Sequence, residues 1–316
     1  MVQQSLPPRS LKANPFPLIL SKGDPLSILQ ILSSIDHLGT RAGFDNMATV
    51  ISSQNKDGGF PRNPQKKQPS SIKATYRVLS TLHKAGVDRR SFMTTSALDW
   101  LLKWQEIDGG WHENIAVKLP EWMTWESTSQ SVTWYTCQIG KLLQQLKMQN
   151  TKAFKKIVDF FIKTELPSGG WSAVVGMEGA DPDSTAGIGD FLAPILGRKH
   201  PAVSRAKRMF ESTVTKLLDK LKKERIEDAY ELTHLIFETP PNLIYQRNDR
   251  RIRTLLEALV SVQRKDGGWL TFYSEGKSDV PITVFSLQVL LSHGVLSKQA
   301  LQIMCDATLK KLQQWH

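Results

Sequence analysis

Gln105-Glu106-Ile107-Asp108-Gly109-Gly110-Trp111 is one of four related turns in this chain. The others are Gln54-Asn55-Lys56-Asp57-Gly58-Gly59-Phe60, Glu165-Leu166-Pro167-Ser168-Gly169-Gly170-Trp171 and Gln263-Arg264-Lys265-Asp266-Gly267-Gly268-Trp269. They begin 51, 60 and 98 residues apart, and the last interval is about twice the others, so one copy has lost its turn. Each copy follows one grammar: an amphipathic helix, Gln or Glu, a Gly-Gly turn, an aromatic, a polar loop and a second, more apolar helix. Asp-Gly-Gly stops the first helix with backbone geometry that residues bearing a Cβ adopt poorly. The aromatic is then free to pack back over the turn while the Gln amide bonds exposed backbone groups at a helix end.

Working outward from the turns gives two alternating series of helices. One, read as outer, is expected over Asp45 to Gln54, Arg89 to Gln105, Thr151 to Thr164, Val203 to Arg225, Asp249 to Gln263 and Lys298 to Gln314. The other is expected over Leu26 to Leu38, Ser71 to Ala85, Ser127 to Leu146, Ser184 to Leu196, Asp228 to Phe237 and Ile282 to Ser292. Val203 to Arg225 runs on without Gly-Gly, which accounts for the doubled interval. Six helices of each kind without remainder favour an all-α, double-walled (α/α)6 barrel over an open solenoid of helix pairs. Residues 1–24 are read as an N-terminal extension and residues 25–316 as one barrel domain.

Composition removes several function classes. Only Cys137 and Cys305 are present, with no CxxC and no His cluster at metal spacing, so neither a disulfide scaffold nor a structural zinc site is expected and a cytoplasmic setting fits. Met1 to Pro17 lacks the charged start and apolar core of a signal peptide, and no stretch approaches the ~18 apolar residues of a membrane span. The net charge of +11 suits an acidic partner, a diphosphate or a membrane surface, but much of it lies in segments such as Lys216 to Arg225 that read as solvated helix faces. No nucleic-acid-binding motif accompanies it, so no nucleic-acid partner is expected.

One further stretch points to chemistry. Gly179-Ala180-Asp181-Pro182-Asp183-Ser184-Thr185-Ala186-Gly187 places two carboxylates around a proline at the start of an apolar helix. Close carboxylates in an apolar site repel, which holds one of them protonated, and a neutral carboxylic acid in such a pocket is a strong general acid. The simpler alternative is that Asp181 or Asp183 caps the helix.

Ala97-Leu98-Asp99-Trp100-Leu101-Leu102-Lys103-Trp104-Gln105 followed by Gly109-Gly110-Trp111 resembles the QW motif of the squalene and terpene cyclase superfamily, whose fold is an α/α barrel. The other copies are partial, with Glu165 for Gln and Phe60 for Trp, and the resemblance runs from about Leu26 to the C-terminus. Asp181-Pro182-Asp183-Ser184-Thr185-Ala186 looks like the DxDD-Thr-Ala motif of class II terpene cyclases, with Ser184 in place of a further Asp. By position the resemblance makes Asp183 the general acid and Asp181 its neighbour. Ile35-Asp36-His37-Leu38-Gly39 and Phe44 are similar, more weakly, to a segment of plant terpene synthases. Protein prenyltransferase β subunits share the barrel but need an Asp-x-Cys pair and a distant His for zinc, and Cys137 follows Tyr135-Thr136 instead.

The resemblance implies a linear isoprenoid substrate, expected as its prenyl diphosphate. A carbocation path needs aromatic faces, each worth roughly 0.5–2 kcal/mol to a cation. Trp122, Trp125, Trp134 and Tyr135 are the first candidates, with Tyr76, Tyr230 and Phe285 on other inner helices. His234 is a candidate to tune the acid and return its proton, and Asp190 shares a helix face with Asp183. Arg62, Lys66, Lys67 and Lys118, in loops before inner helices, are candidates for the diphosphate. No cofactor is expected; Mg2+ accompanying the diphosphate is the one candidate. Full-length cyclases carry a second helical domain, so a partner of that kind or a peripheral membrane contact is weighed as a cap. A non-catalytic isoprenoid-binding barrel and a sugar-cleaving enzyme on an α/α barrel are the alternatives.

Overall fold

Short polar residues stand where the helices begin, and their side chains take the first orphan N–H groups of each helix. The computed structural model describes residues 11–239, 244–246 and 248–314, without the side chains of Trp122, Thr124 and Glu238. The inner series is α2 (Pro25–Ser34), α4 (Ile72–Lys84), α6 (Thr133–Gln145), α8 (Pro182–Leu196), α10 (Ala229–Glu238) and α12 (Val280–Ser292). Asp24, Ser71, Asp181, Asp228 and Asp279 cap five of these. The outer series is α3 (Arg41–Ser52), α5 (Phe92–Lys103), α7 (Lys152–Thr164), α9 (Pro201–Lys223), α11 (Arg250–Ser261) and α13 (Lys298–Gln313). Ser91, Thr151, Asp249 and Ser297 cap four of those.

All twelve expected helices are present among the described residues, although α2 stops four residues short of its expected end and α3 starts four residues early, and other features differ from expectation. A further short helix, α1 (Phe16–Lys22), forms within the N-terminal stretch, and its Phe16, Leu18 and Ile19 are buried. The helix expected from Ser127 begins only at Thr133, because Val132 is held in extended backbone, bridged to Val174. The loop before it contains a 3-10 helix, Glu121–Glu126, and the loop before α4 contains a two-stranded ribbon of β1 (Phe60–Pro61) and β2 (Ser70–Ser71).

The chain divides into two compact units, Asp45–Glu211 (the middle unit) and Met1–Phe44 with Ser212–His316 (the split unit). In the middle unit α4, α6 and α8 form a row of neighbours, with α5 against α4 and α7 against α6. In the split unit α10, α12 and α2 form the corresponding row, with α11 against α10. Helix α8 is buried without interruption from Ser184 to Ala193, as an interior helix apolar on all sides must be. Outer helix α7 buries only the stripe Phe154, Ile157, Phe160 and Phe161.

The Gly-Gly turns join the two series by a repeated set of hydrogen bonds. The indole N–H of Trp111, Trp171 and Trp269 donates to the carbonyl of Leu101, Phe161 and Leu259, at 2.8 Å in each case. The backbone N–H of Phe60, Trp111, Trp171 and Trp269 donates to the hydroxyl of Thr75, Thr136, Thr185 and Thr283, one turn into the next inner helix. The Gln54, Gln105 and Gln263 amides donate to the turn carbonyls of Gly58, Gly109 and Gly267 and also to Met93, Ala153 and Ala13. Gly109 has φ 100° and a Cβ there would lie 2.4 Å from the Lys156 carbonyl oxygen, so both conformation and space require glycine.

The third turn replaces parts of this pattern together. Asp57, Asp108 and Asp266 accept from Ser70, Ser131 and Ser278, whereas Ser168 and Ala180 stand at the matching positions in the third copy. Glu165, which has no N–H to offer the carbonyls, instead takes both arms of the Arg205 guanidinium at 2.6 and 2.7 Å.

Candidate functional site

Inner-helix residues are placed by counting from the threonine that receives the turn. Four residues before Thr75, Thr136, Thr185 and Thr283 stand Ser71, Val132, Asp181 and Asp279. Asp181 accepts the Ser184 N–H at 2.7 Å and Asp279 accepts the Ile282 N–H at 2.8 Å, so the first Asp of the motif is a helix cap shared with another repeat. Two residues before the same threonines stand Lys73, Trp134, Asp183 and Pro281. Lys73, Trp134 and Asp183 thus occupy one level of the three neighbouring helices α4, α6 and α8.

Around that level the middle unit holds a buried polar network. Glu126, 2% exposed at the end of its 3-10 helix, receives Lys73 Nζ at 2.8 Å, Arg62 Nη2 at 3.1 Å and the hydroxyl of Tyr135. Glu113, also 2% exposed, accepts the Ile72 and Asn114 N–H groups on Oε1 and the Ser71 hydroxyl on Oε2, which lies 3.6 Å from Arg62 Nε. The Lys73 ammonium lies 4.9 Å from the Trp134 ring centre and 5.8 Å from that of Tyr135. Tyr76 meets Trp134 edge-on and is tilted against Tyr135, both at 6.1 Å. Desolvation, aided by the like charges of Arg62 and Arg77 and opposed by Glu126, lowers the Lys73 pKa to about 8. Burial, then the charges of Glu126 and Glu113, pushes the Tyr135 phenol well above its usual value.

Of the residues singled out in the sequence, the structure therefore brings together Tyr76, Trp134, Tyr135 and Arg62, and puts Asp183, half-buried, at the same level one helix along. Arg62 is paired with Glu126 and Glu113, while Lys66, Lys67 and Lys118 are exposed. Trp125 is 42% exposed, and the side chain of Trp122 lies outside the described residues. Asp190 is buried against α6, 3.5 Å from Lys141 Nζ. In the split unit His234 stacks on Tyr230 at 4.3 Å and Phe285 meets Phe237 at 4.3 Å.

Lys73, Glu113 and Glu126 were not singled out by sequence. Each reads alone as a surface charge, and only Arg62, between the Gly-Gly turn and α4, hinted that this loop carries polar work. The split unit adds Asp228 and Asp279, caps of α10 and α12, both with carboxyl pKa raised chiefly by desolvation; Asp24 adds like charge at Asp279. Tyr273, beside them in electrostatic terms, is pushed to about 12 by burial and then by Asp279.

The zinc of the protein prenyltransferases finds no fit here. Cys137 is buried with Tyr135 and Thr136 before it, and among the described residues no three His, Cys, Asp or Glu side chains come together as ligands. No helix among the described residues is long and apolar enough to cross a membrane.

Residues 28–178 match the model of the squalene-hopene cyclase C-terminal domain, and residues 111–315 match that of the prenyltransferase alpha-alpha toroid domain. No curated protein matches. Among solved structures, a protein from Actinoplanes is 18% identical with TM-score 0.56, over 85% of this chain and 90% of that one. A variant of the type II terpene cyclase MstE from Scytonema, in complex with its substrate geranylgeranyl dihydroxybenzoate, is 13% identical with TM-score 0.53, over 86% of each chain. A novel alpha-amylase from Clostridium perfringens is 14% identical with TM-score 0.52, also over 86% of each. A cyclase and an amylase at equal similarity carry information about fold alone. The toroid model spans well over half the sequence, and the chain belongs to the prenyltransferase alpha-alpha toroid domain family, within the squalene and terpene cyclase superfamily.

Proposed function

We propose that this protein is a class II terpene cyclase, which starts the cyclisation of a linear isoprenoid by protonating it, with Asp183 as the proton donor. The observation that carries the reading is the common level of Lys73, Trp134 and Asp183 on α4, α6 and α8. A carboxyl group then stands at the start of a helix buried from Ser184 to Ala193, beside a helix bearing Trp134 and Tyr135. Asp181 holds the backbone of that turn as its cap and acts on Asp183 through position. Trp134, Tyr135 and Tyr76 supply π faces for positive charge that develops after protonation. A diphosphate head would be met by Lys66, Lys67 and Lys118, which are exposed in the loops preceding α4 and α6, and any Mg2+ would arrive with it. The match to MstE covers the same share of both chains, so the two are of similar length, and that cyclase is a counterpart for a chain of this size.

The test is incubation with geranyl, farnesyl and geranylgeranyl diphosphates, squalene and geranylgeranyl dihydroxybenzoate, with mass analysis of the products. A cyclic product that keeps its diphosphate or aryl head is expected, and Asp183→Asn is expected to abolish it while leaving fold and substrate binding intact. Turnover retained in Asp183→Asn removes Asp183 as the donor. A second reading puts the donor at Asp279, whose carboxyl is held toward its neutral form by burial and by Asp24. Asparagine caps a helix as well as aspartate does, so Asp279→Asn isolates the proton: loss of turnover there, with Asp183→Asn active, selects this reading.

A further inference from the structure

We infer that Lys73 is the proton acceptor that ends the cyclisation. The inference rests on the reading of Asp183 as donor. Its amine stands at the level of Asp183, on α4 where Asp183 is on α8, with α6 and its Trp134 between them in the row. A cation that starts from Asp183 and comes to rest on the Trp134 ring is then close to Lys73 Nζ, which lies 4.9 Å from the ring centre. In the step a C–H bond next to the cationic carbon breaks, its electron pair becomes a C=C bond, and the proton forms an N–H bond on the neutral amine. The ammonium then releases the proton to solvent, which the 17% exposure of the side chain permits. Asp183 is reprotonated from solvent, so the substrate is isomerised with no net gain of protons.

The network around Lys73 is arranged to tolerate its neutral form. Glu126 keeps Arg62 and the Tyr135 hydroxyl as donors when Lys73 loses its charge, so deprotonation strands no buried carboxylate. Facing Lys73 are Arg62 and Arg77, which drive the proton off, Glu126, which retains it, and the un-ionised Tyr135 phenol; Glu113 is occupied by the N-terminus of α4. The lysine therefore titrates close to working pH, whereas a solvated lysine would be fully charged.

The experiment compares single-turnover rate and product identity from pH 6 to 9.5 for wild type, Lys73→Met and Lys73→Arg, using whichever substrate the wild type cyclises. The 13Cε resonance of Lys73 is titrated in parallel on uncyclised, substrate-free protein. Expected are a wild-type rate that rises through a midpoint near 8 and a resonance midpoint at the same pH. Both variants are expected to lose the rising limb and fall at least tenfold, or to replace the olefin by a water-quenched alcohol. Arginine keeps the charge and the contact with Glu126 but has no accessible neutral form, so it separates proton transfer from folding if methionine fails to fold. The same olefin at the wild-type rate in either folded variant overturns the inference, as does a resonance midpoint at the ordinary lysine value. If the wild type cyclises nothing, the reading of Asp183 falls and the acceptor role falls with it; if the wild type cyclises and only the Lys73 results fail, Asp183 stands.

Discussion

Thr185→Val separates a structural part of the motif from a chemical one. The Thr185 hydroxyl accepts the Trp171 N–H at 2.9 Å and donates to the Trp171 carbonyl at 3.2 Å. Thr283 accepts the Trp269 N–H at 3.1 Å and donates to the Asp279 carbonyl at 2.6 Å. All four residues are fully buried or nearly so, and valine matches threonine in shape and β-branching, so the change removes polarity and leaves no cavity. What remains is a buried N–H with no acceptor, costing about 1–3 kcal/mol. For a unit of this size that lowers the melting midpoint by about 2–12 °C. Thr185→Val and Thr283→Val are expected to lose similar stability by thermal and urea unfolding, although only one lies in the Asp-rich motif. Thr185→Val melting with the wild type while Thr283→Val falls would refute the shared role and return Thr185 to the chemistry of Asp183.

The pH dependence of stability tests the lysine cluster. Because the folded pKa of Lys73 lies near 8 and the unfolded one at 10.5, the unfolded chain binds the extra proton between those values, and stability rises with pH across that window. Below pH 8 the full penalty applies, on the order of 3 kcal/mol, so Lys73→Met is expected to be the more stable protein at pH 7, with the gap closing toward pH 10.5. A gap that does not change with pH in urea titrations would contradict the buried charge. Arg205→Ala is expected to destabilise by about 1 kcal/mol through loss of the Glu165 pair. Adding Glu165→Gln to that variant should recover stability, since glutamine can bond the Gly169 carbonyl as its three counterparts bond theirs; strict additivity of the two changes would dispose of this account.

The helices were legible because Gly-Gly turns and apolar stripes are local signals. Helix α1 was not, since seven residues among prolines carry too little periodicity, and the early start assigned to α6 ignored the bridge from Val132 to Val174, which no local pattern records. Asp181 and Asp183 drew attention by adjacency, and the structure divides them into a cap and a residue on the Lys73 level. The network of Arg62, Lys73, Glu113, Glu126 and Tyr135 was illegible because its members lie up to 73 residues apart, on different elements, and become partners only when α4 and α6 pack together.

The split unit sets an order on biosynthesis. Helices α1 and α2 leave the ribosome long before their partners α12 and α13 are made, and Asn14 and Gln30 bond residues more than 250 positions away. At 5–20 residues per second, the apolar faces carrying Ile19, Leu29, Ile31 and Leu32 stay uncovered for roughly 10–50 s while the middle unit, contiguous in sequence, completes its own core. A nascent chain stalled before α12 should accordingly hold a protease-resistant middle unit and chaperone-bound α1 and α2.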